Sequence, residues 1–155
     1  MPANERQVGG IHYYKRQRIQ HWDYVLSNRV PYMEAQILKY ISRHRFKNGV
    51  EDLKKAQHFI EKLIEVGATI KSSLIVASVA GREEIAFNEW VWGLEASASG
   101  PEIDCMRLVR FWAEGAGVER LIHAGAMLQQ IILAEELVAD DGSTPVANGY
   151  VNQDR

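Results

Sequence analysis

The chain has 155 residues, 46% hydrophobic and 25% charged, with a formal net charge of -2, the balance of one domain able to bury a core without covalent or metal staples. Its single cysteine, Cys105, excludes an intramolecular disulfide and a multi-cysteine zinc or iron–sulfur site. The small net charge hides a partition: residues 1–71 carry 13 Lys+Arg against 7 Asp+Glu, and residues 72–155 carry 5 against 13. A basic part suits an anion, and an acidic part suits solvent or the basic part of another subunit.

Helical signals dominate the first part. Ile19 to Asn28 reads as a short amphipathic helix with Trp22, Val25 and Leu26 at helical spacing. Pro31 fits the first turn of a second helix, over about 31–46, whose apolar stripe is Met33, Ile37, Tyr40, Ile41 and His44. Lys-Asn-Gly at 47–49 supplies the stop, with Gly49 suited to a left-handed cap. Glu51 and Asp52 open a third helix, about 50–66, where the macrodipole favours acids, and Leu53, Ala56, Gln57, Ile60, Leu63 and Ile64 form its buried face. The short connection makes the pair an antiparallel hairpin.

Beyond residue 71, Leu74 to Val79 is compatible with a strand or a buried helix. Arg82 to Glu95 reads as a helix with an acidic start and an aromatic end at Trp90 and Trp92. A linker at 96–101 precedes a helix from Glu102 to about Glu114 with Cys105, Leu108, Val109 and Trp112 inward. Val118 to Val138 makes a last long helix with a stripe at Val118, Leu121, Ile122, Gly125, Leu128 and Ile132, widened by Ala124, Met127 and Ile131. So broad an apolar face suggests burial on two sides. The expected fold is therefore an all-α helical bundle with a hairpin core. It comprises a basic region 1–71, an acidic helical extension 72–138 that packs on it or forms an oligomer interface, and a flexible tail 139–155.

The residues that could carry chemistry cluster early. Gln36, Lys39, Arg43 and Lys47 recur at helical spacing beside Tyr40 and His44, a phosphate clamp in outline, and Lys55 with His58 and Lys62 lies on the facing helix. Lys and Arg on a helix are ordinarily a solvated face, and Glu51 to Lys55 is an ordinary i,i+4 pair. Upstream, Gly9-Gly10-Ile11-His12-Tyr13-Tyr14-Lys15 and Gln20-His21-Trp22-Asp23 add close backbone approach, phosphate contacts, stacking rings and groups able to read a base edge. Their joint occurrence is the vocabulary of a nucleotide site. There is no GxxxxGK[ST] loop, no GxGxxG and no HExxH, and the five histidines lack metal-ligand spacing, so no protein-built metal site is expected. Cys105 and His123 read as packed core residues, and the pairs Glu83-Glu84 and Glu135-Glu136 as solvated helix ends.

Residues 12–65 resemble a small phage-encoded domain first catalogued as of unknown function, whose characterised relatives include a nucleotide kinase without a P-loop. The pattern falls on His12-Tyr13, Ile19 with Trp22-Asp23, Lys39-Tyr40-Ile41 with Arg43, and Lys47 with Gly49. It continues through Glu51-Asp52-Leu53 with Lys55-Ala56 to Phe59 with Leu63-Ile64. The resemblance implies an all-helical, oligomeric phage protein that handles deoxynucleoside monophosphates. It also raises His12, Lys39, Arg43, Lys47 and Lys55 from surface charge to ligand contacts.

The expected function is a kinase-like phosphotransferase in the cytoplasm of the infected cell, with ATP as donor and magnesium as an optional companion. Lys39, Arg43 and Lys47 would hold phosphates, and His12 or Asp23 would orient the acceptor. Tyr13, Tyr40 or Trp22 would stack on the base, with Gln20, Gln36, His44 and Lys55 completing the site. The alternative is a non-catalytic binder that sequesters a nucleotide or a cyclic or ADP-ribose-type defence signal. Long nucleic acid fits less well, because the acidic part repels a polyanion. No run approaches the roughly 18 consecutive apolar residues of a membrane helix, and MPANERQVGG lacks the apolar stretch of a secretion signal.

Overall fold

The structure, a computed structural model, describes residues 17–67, 85–94, 98–114 and 117–142. Six α-helices occupy them, with no strand among the described residues: α1 (His21–Asn28), α2 (Tyr32–Arg43), α3 (Val50–Gly67), α4 (Phe87–Trp92), α5 (Gly100–Arg110) and α6 (Val118–Asp140). Short 3-10 turns follow α2 at His44–Phe46 and α5 at Trp112–Glu114. His12, Tyr13, Leu74 to Val79, Glu83, Glu84 and most of the tail lie outside the described residues.

Pro31, with φ -59°, stands one residue before α2 rather than inside its first turn, and its fixed dihedral aims the chain into the helix. Helix-favouring Met, Glu, Ala, Gln, Leu and Lys continue α2 until Arg43, three residues short of the expected end. There the 3-10 turn tightens the backbone, and Gly49 takes φ +55° as the hairpin demands. Ser99 and Glu102 form a capping box that starts α5 at Gly100, ahead of the expected Glu102, with Pro101 in its first turn.

Four helices close a ring: α2 packs on α3, α3 on α6, α6 on α5 and α5 on α2. Ile37, Leu38, Ile41, Leu53, Ala56, Ile60, Cys105, Met106, Val109, Leu121, Ala124 and Leu128 fill it, so one core draws on both the basic and the acidic stretch. At about 25 cal/mol per Å² of apolar surface removed from water, this burial is the main favourable contribution. Gly125 lets α6 approach α3 closely; an added Cβ would stand 3.4 Å from Ile60 Cγ2. Cys105 is buried as expected, and desolvation raises its thiol pKa to about 12, which suits packing rather than nucleophilic chemistry.

A second, aromatic cluster attaches α1 and α4 to the ring. Tyr24 stacks on Trp90 with centroids 4.5 Å apart, and Phe87 meets both edge-on as well as Phe111. This cluster turns α1 relative to its expected face: Tyr24 and Ser27 point inward, whereas Trp22 (44% exposed) and Leu26 (48%) face out. Trp90 is fully buried and Trp92 exposed, which divides a pair that looks alike in sequence. Trp112 is only partly buried and donates to Glu34 Oε1 at 2.8 Å.

By length and composition α6 is apolar enough to cross a membrane, although polar residues interrupt its apolar runs every few positions. In the fold its inner face packs on α3 and α5, as the apolar core helix of a bundle does. Ile122, Leu133 and Leu137 remain exposed on its other side. His123, expected in the core, is exposed, because α6 buries the row of Leu121, Ala124, Gly125, Leu128 and Ile132.

Candidate functional site

The hairpin places Lys39, Tyr40 and Arg43 of α2 beside Asp52, Lys55 and Phe59 of α3. Tyr40 lies over Phe59 with centroids 5.9 Å apart and Tyr32 meets the same ring edge-on, giving an aromatic platform. The Arg43 guanidinium stands 4.8 Å above the Tyr40 ring and Lys39 Nζ 6.0 Å from its centroid, so cations and stacking surface are contiguous.

The cations differ in how far they are committed. Arg43 donates from Nε and a terminal nitrogen to the two Asp52 oxygens at 2.9 and 3.2 Å. Asp52 is fully buried and also accepts from Asn48 at 3.3 Å. Lys55 pairs with Glu51 at 2.5 Å. The stripe is thus partly neutralised from within. Lys39 has no carboxylate at ion-pair distance among the described residues, and desolvation, then the neighbouring Arg43, lowers its pKa against the pull of Asp52. Lys47 is exposed in the hairpin turn.

His21 completes the electrostatics. Its Nε2 lies 2.8 Å from the Ala35 carbonyl, and since a carbonyl only accepts, Nε2 carries the proton of the neutral ring. Burial lowers its pKa to about 4; the bond to Ala35 opposes the shift, and Lys39 and Arg43 reinforce it. The imidazole is therefore a neutral wall of the cationic face at pH 7.

Of the sequence candidates, Gln36, Lys39, Tyr40 and Arg43 share α2, and Lys55 faces them from α3. Gln20 caps α1, its carbonyl accepting from the Asp23 and Tyr24 amides, while Asp23 is half-buried and Trp22 exposed on the same helix. His12 and Tyr13 lie outside the described residues. His44 requires a correction: α2 ends before it, and the 3-10 turn carries its ring inward to 2% exposure, away from a ligand on the α2–α3 surface.

The interior position of His44 joins it to groups that sequence reasoning missed. Its Nδ1 lies 2.8 Å from the Ile41 carbonyl and its Nε2 3.3 Å from Glu102 Oε1. Arg45 reaches both Glu102 oxygens at 3.2 Å, and the Ser99 amide donates to the same carboxylate. Burial alone would raise the Glu102 pKa; its contacts to His44 and Ser99 outweigh that and hold it at about 2. Glu135, read as a solvated helix end, joins this cluster from α6, while Glu136 pairs with Lys54 at 2.6 Å. No linear signal marks the trio, since 91 residues separate its first and last members.

An open cleft of about 700 Å³ lies between α5 and α6, lined in part by Arg107, Arg120 and His123. Arg107 is engaged by Asp104 and Asn88, and Arg120 by the Phe111 carbonyl. No sequence candidate lines it.

The model of a family described as a protein of unknown function (DUF3310) matches residues 9–61. No curated protein and no solved structure matches the chain. The matched stretch contains α1, α2 and most of α3, hence the whole cationic and aromatic face, together with His12 and Tyr13.

Proposed function

We propose that the chain is a nucleotide-binding protein with kinase-like phosphotransferase activity, acting on a deoxynucleoside monophosphate in a phage-infected cell. The observation that carries this reading is Lys39: a partly desolvated ammonium with no carboxylate at ion-pair distance among the described residues, set beside the Tyr40–Phe59 platform. A phosphate satisfies such a cation, and a base or sugar suits the rings next to it. Lys47 is a second cation with no ion pair among the described residues, and the resemblance adds His12 and Tyr13. In transfer, an oxygen of the acceptor monophosphate attacks the γ-phosphorus of ATP, the bond to the β-phosphate breaks, and ADP leaves. Positioning and charge neutralisation supply most of the acceleration. Magnesium enters only as the counter-ion of ATP.

Purified protein incubated with ATP and each deoxynucleoside monophosphate is expected to yield the corresponding diphosphate. Lys39→Gln should weaken monophosphate binding by about tenfold or more, the worth of one charge-assisted contact, with its unfolding midpoint unchanged. Wild-type affinity in Lys39→Gln removes this site from the reading.

A second reading, sequestration without turnover, is favoured by Arg43. A guanidinium held by both Asp52 oxygens has less to give a migrating phosphoryl group than a free one. It predicts bound nucleotide recovered unchanged after denaturation, and no diphosphate with any acceptor.

Self-association belongs to the same proposal. Ile122, Leu133 and Leu137, eleven and four positions apart, line one outer side of α6, and Trp92 is 76% exposed. Sedimentation should return a multiple of 17.6 kDa; a single-chain mass discards the oligomer.

A further inference from the structure

The cluster at His44 is electrostatically incomplete. The Ile41 carbonyl can only accept, so His44 Nδ1 carries a proton. In a neutral ring Nε2 then presents its lone pair to Glu102 Oε1, 3.3 Å away. That nitrogen is buried and makes no hydrogen bond. Two acceptors facing each other in the interior require a cation between them, either a proton on Nε2 or a metal ion. Glu135 sharpens the demand: one ligand atom from each of His44, Glu102 and Glu135 lies within 4.8 Å of the others. Arg45 offsets Glu102 from the surface side, but the partly buried Glu135 has no ion-pair partner among the described residues.

We propose that His44, Glu102 and Glu135 bind one divalent transition-metal ion, zinc by the character of its donors, where the ends of α2, α5 and α6 converge. Bonds of about 2.0–2.2 Å place neighbouring ligands of tetrahedral zinc about 3.3–3.6 Å apart. The His44–Glu102 separation of 3.3 Å is already such an edge, and Glu135 closes the third corner by a side-chain movement. One nitrogen and two carboxylates suit zinc, whereas magnesium favours an all-oxygen octahedron that retains its waters. The supporting contacts are those of a metal ligand set: the Ile41 carbonyl fixes the histidine tautomer, and the Ser99 amide and Arg45 orient Glu102. The site clips residue 44 to residues 102 and 135, joining the basic hairpin to the acidic helices, and does not depend on the nucleotide reading.

The test uses the full-length, tag-free chain stripped by a chelator, titrated with zinc chloride by calorimetry and followed by thermal unfolding. One zinc per chain is expected, with a melting temperature several degrees higher at a hundredfold excess over Kd, reversed by chelator. Cobalt(II) should give the visible absorption of a tetrahedral site. Glu135→Gln, at a partly exposed position, should weaken zinc binding at least tenfold while the metal-free melting temperature stays within a few degrees of wild type. Absence of stoichiometric uptake overturns the proposal, as does uptake unchanged in Glu135→Gln. A His44 ring protonated on both nitrogens at pH 7 that takes up no zinc assigns the missing cation to a proton and also overturns it.

Discussion

Asp52→Ala is expected to destabilise the chain by about 3–5 kcal/mol, a large share of the 5–15 kcal/mol that holds a domain of this kind. Asp52 is fully buried, accepts two bonds from Arg43 and one from Asn48, and stands 4.0 Å from the Lys55 ammonium. Removing it leaves a largely covered guanidinium, its side chain only 15% exposed, without its carboxylate. Most of the cost is the loss of that carboxylate from a covered charge rather than the net worth of the pair. The double variant Arg43→Ala/Asp52→Ala should therefore be more stable than Asp52→Ala alone. For a chain of this length the single change lowers the melting temperature by roughly 10 °C or more. Chemical denaturation of wild type, both single variants and the double measures the coupling; a loss below about 1 kcal/mol in Asp52→Ala would show that the pair does not anchor the hairpin.

The same pair shows how far the sequence speaks. The hairpin is legible because Ile37, Ile41, Leu53, Ala56, Ile60 and Leu63 repeat at helical spacing on either side of a glycine that must turn. The cation stripe is legible for the same reason. What spacing does not convey is that Asp52 faces Arg43 across the turn, so residues that read as a clamp and a macrodipole acid neutralise one another. Hydrophobicity likewise selects Trp22 and Leu26 as the inner face of α1, whereas the stack of Tyr24 on Trp90, 66 positions away, decides the rotation of the helix. Long-range pairing is invisible to local periodicity, and the His44–Glu102–Glu135 cluster is its extreme case.

Acidification provides the second large effect, centred on His21. Its pKa of about 4 in the folded chain lies below the ordinary 6.5, because burial first, and Lys39 and Arg43 after it, oppose a positive charge on the ring. Between these values the unfolded chain binds the extra proton, so stability rises with pH through that window. The His21 contribution is complete above about pH 6.5 and is lost progressively down to about pH 4. It amounts to about 3 kcal/mol at 1.36 kcal/mol per pH unit. The test is a comparison of two proteins. His21→Gln, which keeps a donor for the Ala35 carbonyl, should flatten the slope of unfolding free energy between pH 4 and 6.5 relative to wild type. An identical slope in the two proteins would assign the acid sensitivity elsewhere. The ring also reports on the face it borders: a phosphate held by Lys39 offsets part of the repulsion that depresses its pKa. Saturating nucleotide should therefore raise the His21 midpoint in an NMR titration, and a midpoint indifferent to ligand would place the bound phosphate away from Lys39 and Arg43.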